Sequence, residues 1–179
     1  MALGLNGSVM RKSVLMSVFI AGCAATPLRV VPAGTWTEQC YINFEQDVSQ
    51  IAGESAVDCG FLAMQATDAE RNLAKSCAKS AVKAGNPFKF GYQGFGVDSV
   101  YCDVAVRRVD GQMVSVYFDS DVTGQMGSGG NNSALWASRC KTIKFKPGTI
   151  GVGSFFDLQN CTEAPDIISN LASQKMRPN

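Results

Sequence analysis

Seven cysteines and no histidine stand in a chain of 179 residues, and that combination decides which chemistry is open to it. A Ser-His or Cys-His nucleophile pair, and any imidazole-ligated metal, need a ring that this chain lacks. The commonest hydrolase mechanisms are therefore excluded. Carboxylates remain: Asp98, Asp103, Asp119 and Asp121 could supply a glycosidase pair, provided that two of them lie about 5 to 9 Å apart across a cleft. The run Asp119-Ser120-Asp121-Val122-Thr123-Gly124 begins like a calcium loop, but its twelfth position, where a bidentate Glu belongs, is Gly130. A strand end with turn-forming residues is the better reading. The low-complexity segment 124–133 carries no Gly-Lys-Ser/Thr ending of a phosphate loop and reads as a hairpin loop. No metal or cofactor is expected.

One cysteine differs from the rest by its surroundings. Met10-Arg11-Lys12 is followed by a ten-residue, mostly apolar run from Ser13 to Gly22 and then by Cys23, the order of a positive n-region, a short h-region and a cleavage point. Residues Ile20-Ala21-Gly22-Cys23 resemble the lipobox of bacterial lipoproteins, in which signal peptidase II cuts before a cysteine whose thiol has received diacylglycerol. The resemblance covers about the first 25 residues. It implies a signal peptide over 1–22, a lipidated Cys23 as the mature terminus and, since Ala24 and Ala25 follow rather than Asp, an address at the outer membrane. Met10 is then a better start than Met1. Acyl chains bury CH₂ groups at about 0.8 kcal/mol each, so such an anchor needs no amphipathic helix. Residues 23–36, with Pro27 and Pro32 and no period, read as a tether. Once Arg11 and Lys12 are gone, 14 basic residues face 15 acidic ones.

Cys40, Cys59, Cys77, Cys102, Cys140 and Cys161 are left, an even number without CxxC spacing, which suits three disulfides in an oxidising compartment better than a metal or redox site. Fifteen pairings are open to six cysteines. Placement on expected elements favours Cys59 with Cys77, Cys140 with Cys161 and Cys40 with Cys102.

The elements that must hold these residues follow from periodicity. Phe44, Val48 and Ile51 recur at helical spacing and Phe61, Leu62 and Met64 come next, so a first, broken helix is expected over about 44–64. Thr67-x-x-Glu70 has the form of a capping box and Gly85-Asn86-Pro87 supplies a stop, which predicts a helix over 68–84 with Leu73, Cys77 and Ala81 on its buried face. Arg71, Lys75, Lys79 and Lys83, four apart, would form a basic stripe turned away from that face. Residues 38–58 carry five acids and no Lys or Arg. The two helices are expected to turn their charge toward water and toward each other, and the stripe is the candidate partner-binding surface, suited to an acidic envelope protein or to lipopolysaccharide phosphates. Arg139, Lys141, Lys144 and Lys146 form a second basic group.

After Pro87 the period becomes 2, with Phe88, Phe90 and Tyr92 alternating with polar or small residues. The arms Val100-Cys102-Val104-Val106 and Val114-Val116-Phe118 are all even-numbered. A shared core face then requires a three-residue loop of Val109, Asp110 and Gly111, with Gly111 left-handed, so that Val106 faces Val114 and Cys102 faces Phe118. Strands near 138–146 and 151–159, joined at Pro147-Gly148, and a helix over Pro165 to Lys175 complete the chain. Together these predict an α+β domain over 37–179, with one or two N-terminal helices packed on an antiparallel sheet of four to five strands. The unbroken apolar run of about 20 residues that a membrane span needs is absent, and neither end is polybasic, so nucleic acid is not an expected partner. A small, stapled, anchored binding or interaction module of the cell envelope is the function this organisation suggests. A histidine-free hydrolase acting on an envelope glycan through two aspartates is the alternative.

Overall fold

The computed structural model describes residues 40–41, 43–123, 132–146 and 154–175. The signal segment, Cys23, the tether, most of the 124–133 loop and the Pro147-Gly148 turn lie outside them.

The chain begins with α1 (Phe44–Ala52), then β1 (Val57–Leu62), α2 (Asp68–Ala84), β2 (Phe88–Phe95), β3 (Val100–Arg107) and β4 (Met113–Asp119). It continues with β5 (Ala134–Cys140), β6 (Thr142–Phe145), β7 (Phe156–Gln159), β8 (Thr162–Glu163) and α3 (Pro165–Lys175). Six strands form one sheet in the order β1-β2-β3-β4-β5-β8, and β6 pairs with β7 in a small second sheet. The architecture is α+β, but the large sheet has six strands rather than four to five, a second two-stranded sheet is present, and the strand expected near 138–146 is split between β5 and β6. Residues 57–62 are a strand rather than the second half of a helix, and this strand runs parallel to β2, so the sheet is mixed. The helix ends where Gly53, at φ +90°, donates back to the Ser49 carbonyl. Beyond it, Phe61 enters one core while Cys59 and Leu62 enter another. A strand buried on both faces loses its alternation, which is why its period misleads.

Both faces of the large sheet are covered. Even-numbered residues of β3 and β4 (Cys102, Val104, Val106, Val114, Val116, Phe118) pack with Phe44, Val48 and Ile51 of α1 and Ile167 and Leu171 of α3. On the opposite face Phe88, Phe90, Tyr92, Ala105 and Met113 pack with Ala74, Ala78 and Ala81 of α2 and with Phe155 and Phe156 at β7. The charged helices therefore do not face each other, because α1 and α2 lie on opposite sides of the sheet.

Local signals behave as their chemistry requires. Thr67 Oγ1 accepts from Glu70 N at 3.3 Å while Thr67 N donates to the Glu70 carboxylate at 2.7 Å, a complete capping box, and Gly85 closes α2 in the left-handed region. In the β3–β4 hairpin Val106 pairs with Val114, Val104 with Val116 and Cys102 with Phe118. Gly111 sits at φ +82° and Arg108 N donates to the Gln112 carbonyl at 2.9 Å. Three disulfides join Cys40 to Cys102, Cys59 to Cys77 and Cys140 to Cys161. Between Cys140 and Thr142 the chain leaves the large sheet and begins the β6–β7 pair.

Candidate binding surface

The basic stripe of α2 is largely occupied within the fold. Arg71 is buried rather than exposed: one guanidinium nitrogen donates to the Met64 carbonyl at 3.3 Å, another lies 3.6 Å from Asp68, and the group stands 5.6 Å from the centre of the Phe155 ring. Its Nε and Nη1 find no hydrogen-bond acceptor among the described residues. Lys75 Nζ donates to the Lys146 carbonyl at 3.1 Å, and Lys79 Nζ lies 5.9 Å over the Phe145 ring. Three of the four cations thus help to seat the β6–β7 pair on the sheet, and Lys83 is exposed near the helix end. The buried face of α2 is Arg71, Ala74, Ala78 and Ala81; Leu73, expected inside, is 48 % exposed. Small residues win that face because α2 lies against the Phe88 and Phe90 side of β2.

The second basic group is dispersed as well. Arg139 makes a two-pronged contact with Asp166 of α3, and Lys146 Nζ donates to Ser154 Oγ at 2.9 Å. Of the acids in 38–58, Glu45 and Asp58 converge on the buried Lys89 of β2, whose Nζ is 3.0 Å from Asp58 and 3.6 Å from Glu45 and donates to Ser49 Oγ at 2.9 Å. This ion pair forms one wall of a 720 Å³ cleft beside α1, lined also by Gln46, Gln50 and Glu54.

The four candidate aspartates do not meet in a cleft. Asp98 is exposed in the β2–β3 connection. Asp119 Oδ1 accepts from Asp121 N at 3.0 Å, and Asp121 Oδ1 accepts from Thr123 N at 3.1 Å and from Thr123 Oγ1 at 2.9 Å. These are successive Asx turns of the strand end, the turn reading of the would-be calcium loop. Among the described residues no group of three or more metal-ligating side chains converges. Asp103 stands apart. It points to the α2 side of the sheet, accepts from Tyr92 Oη at 3.1 Å, and is pushed up to about 6 by burial, against opposing pulls from the Tyr92 hydrogen bond and the Lys146 charge.

The odd-numbered positions around Asp103 compose a surface that the even-position pattern hides. In register across four strands lie Tyr92, Asp103, Tyr117 and Trp136. The Tyr101 and Tyr117 rings are stacked with centroids 5.8 Å apart and planes 24° apart, and Trp136 follows at 5.7 Å from Tyr117. Tyr101 and Tyr117 are half-buried in this row. Trp136 is 42 % exposed. The β6–β7 pair covers the neighbouring part of this sheet face through Phe90–Phe145 and Phe90–Phe156 ring contacts. Where that cover ends, a 240 Å³ pocket opens, lined by Asp103, Asp157, Ser115, Ser138 and Ser154, among others. Gly94 of β2 completes the arrangement, because the Tyr101 ring lies over it where any side chain would stand.

Comparison with protein families, with characterised proteins and with solved structures finds no match. The function must therefore be argued from this surface.

Proposed function

We propose that the chain is an exported bacterial lipoprotein, acylated on Cys23 and held at the outer membrane, whose stapled α+β domain is a binding module that works through the aromatic end of its sheet. The leader pattern ending in Ile20-Ala21-Gly22-Cys23 supports the address. Three disulfides fit an oxidising compartment. The observation that carries the binding reading is the row Tyr101–Tyr117–Trp136: ordered, partly open rings on a rigid sheet, ending in an exposed indole. Tyr and Trp concentrate binding energy because they present large area with few rotamers to lose. An open row favours a binder over the hydrolase alternative, whose paired aspartates would need a cleft; the larger cleft contains none of Asp98, Asp103, Asp119 or Asp121, and the smaller pocket only Asp103 of the four.

The test places a photo-crosslinking residue at position 136, and separately at exposed Val109, in the full chain expressed in its envelope. Crosslinked product from position 136 and none from 109 is expected; equal product from both would remove the binding surface. In the same cells Cys23→Ala should move the chain from the membrane to the soluble fraction, and unchanged fractionation would remove the lipid anchor.

A further inference from the structure

We propose that the uncovered end of the sheet receives a cationic side chain, lysine or arginine, from a basic protein partner, with the charge seated between Asp103 and Asp157 and the aliphatic stem laid along Tyr117 and Trp136. The proposal rests on the preceding reading that this face is the working surface, and it names the chemistry of what binds there.

Charge complementarity carries it. The pocket lies beside the aromatic row, since Ser115 and Ser138 are one cross-strand pair along from Tyr117 and Trp136 on the same face, and it is lined by two carboxylates, three serine hydroxyls and no basic side chain. Lys146, the cation whose charge reaches Asp103, is held on Ser154. Arg71, Lys75 and Lys79 are turned to the Met64 carbonyl, the Lys146 carbonyl and the Phe145 ring. Lys146 on Ser154 therefore offsets part of the charge of Asp103, these basic residues of α2 are engaged elsewhere, and Asp157 together with Asp119 beside its cross-strand partner Tyr101 leaves the carboxylates in excess. An anion would meet repulsion on entry. A cation meets carboxylate oxygens, hydroxyl acceptors and the negative faces of Tyr117 and Trp136, which attract ammonium and guanidinium groups most strongly when water is displaced. A volume of 240 Å³ suits one side-chain head rather than a folded ligand. The long stems of Lys and Arg also bury apolar area on rings while their heads remain hydrogen-bonded.

The test uses the full chain in detergent with Trp36→Phe, which leaves Trp136 as the sole indole. Hexa-arginine, hexa-glutamate and chitotetraose are titrated separately against its fluorescence. Hexa-arginine should perturb the emission saturably and hexa-glutamate should not. The affinity should fall about tenfold or more between 50 and 300 mM salt, as expected of a screened charge pair. Asp103→Asn and Asp157→Asn should each weaken binding by about tenfold, whereas Glu54→Gln, at the other cleft, should leave it unchanged; near-UV circular dichroism verifies that each variant is folded. Hexa-arginine binding that ignores both aspartate substitutions, or that Glu54→Gln weakens equally, overturns the proposal. Salt-insensitive binding of chitotetraose in place of hexa-arginine overturns it too, but keeps the surface. Failure of the position-136 crosslink, by contrast, removes the surface itself.

Discussion

Tyr92 Oη donates to Asp103 Oδ2 at 3.1 Å across the β2–β3 pair, so a phenol is clamped to a carboxylate that would more readily carry a proton. Burial pushes Asp103 up to about 6 and raises Tyr92 above the ordinary phenol value, first through burial and then through the Asp103 charge. Burial disfavours the ionised form of both groups, so the pair is most settled when it holds a proton on each.

A sign follows for stability against pH. Between about pH 4 and 6 the folded chain keeps the Asp103 proton that the unfolded chain has lost, so stability falls as pH rises through that window and is level above it. The loss should be about 2–3 kcal/mol. Asp103→Asn, which keeps a hydrogen-bond partner for Tyr92, should raise the melting temperature at pH 7.5 and leave it unchanged at pH 4. Equal effects of the substitution at both pH values would show that Asp103 is not a buried, reluctant anion.

Gly94 is held open by Tyr101, and Gly94→Ala would force the Tyr101 ring off β2 and out of its stack on Tyr117. The expected outcome is a modest cost of about 1–2 kcal/mol, with altered near-UV circular dichroism from the tyrosines and weaker binding at the aromatic end. A variant with wild-type spectrum and binding would mean that the row does not depend on this close approach.

Lys89 is buried against Asp58 and Glu45 and bonded to Ser49. Replacing it with Met should destabilise the domain by about 2 kcal/mol in urea unfolding, because both carboxylates lose their counter-charge while remaining partly open to water, which limits the damage. No change in the urea midpoint would count the triad as a solvated ornament of the cleft.

The staples differ in the length of chain they close. Cys40–Cys102 spans 62 residues and Cys59–Cys77 spans 18. Opening the longer bridge with paired alanines should cost about 1 kcal/mol more than opening the shorter, by the logarithmic dependence of loop entropy. Urea midpoints of the two double variants give the comparison directly.

Much of the fold was legible in short-range chemistry. The α2 boundaries followed from Thr67, Glu70 and Gly85, and the β3–β4 register followed from the parity of seven apolar residues. Disulfide partners followed from which elements could bring sulfur atoms together. What could not be read was tertiary. Strand β1 is buried on both faces and so shows no alternation, and its parallel pairing with β2 is a long-range fact. The stripe of α2 has the spacing of a solvated face, yet Arg71 and Lys75 turn to carbonyls at 64 and 146, and nothing in local periodicity says that a second sheet will arrive there. The aromatic row could have been suspected: the positions alternating with the core valines include Tyr101 and Tyr117, two large rings among Asp103, Ala105, Arg107, Met113, Ser115 and Asp119. Its completion by Trp136 required the β4–β5 register.

The bridge from Cys40 to Cys102 has a mechanical meaning. Cys40 precedes α1, and Cys102 lies in β3, an interior strand of the six. Tension applied from upstream of Cys40 is therefore transmitted through sulfur to the middle of the sheet, where neighbouring strands resist in shear. It does not reach α1, which would otherwise be the first element to unravel. A tugged chain would thus hold its aromatic end in working shape until a covalent bond or the whole sheet gave way.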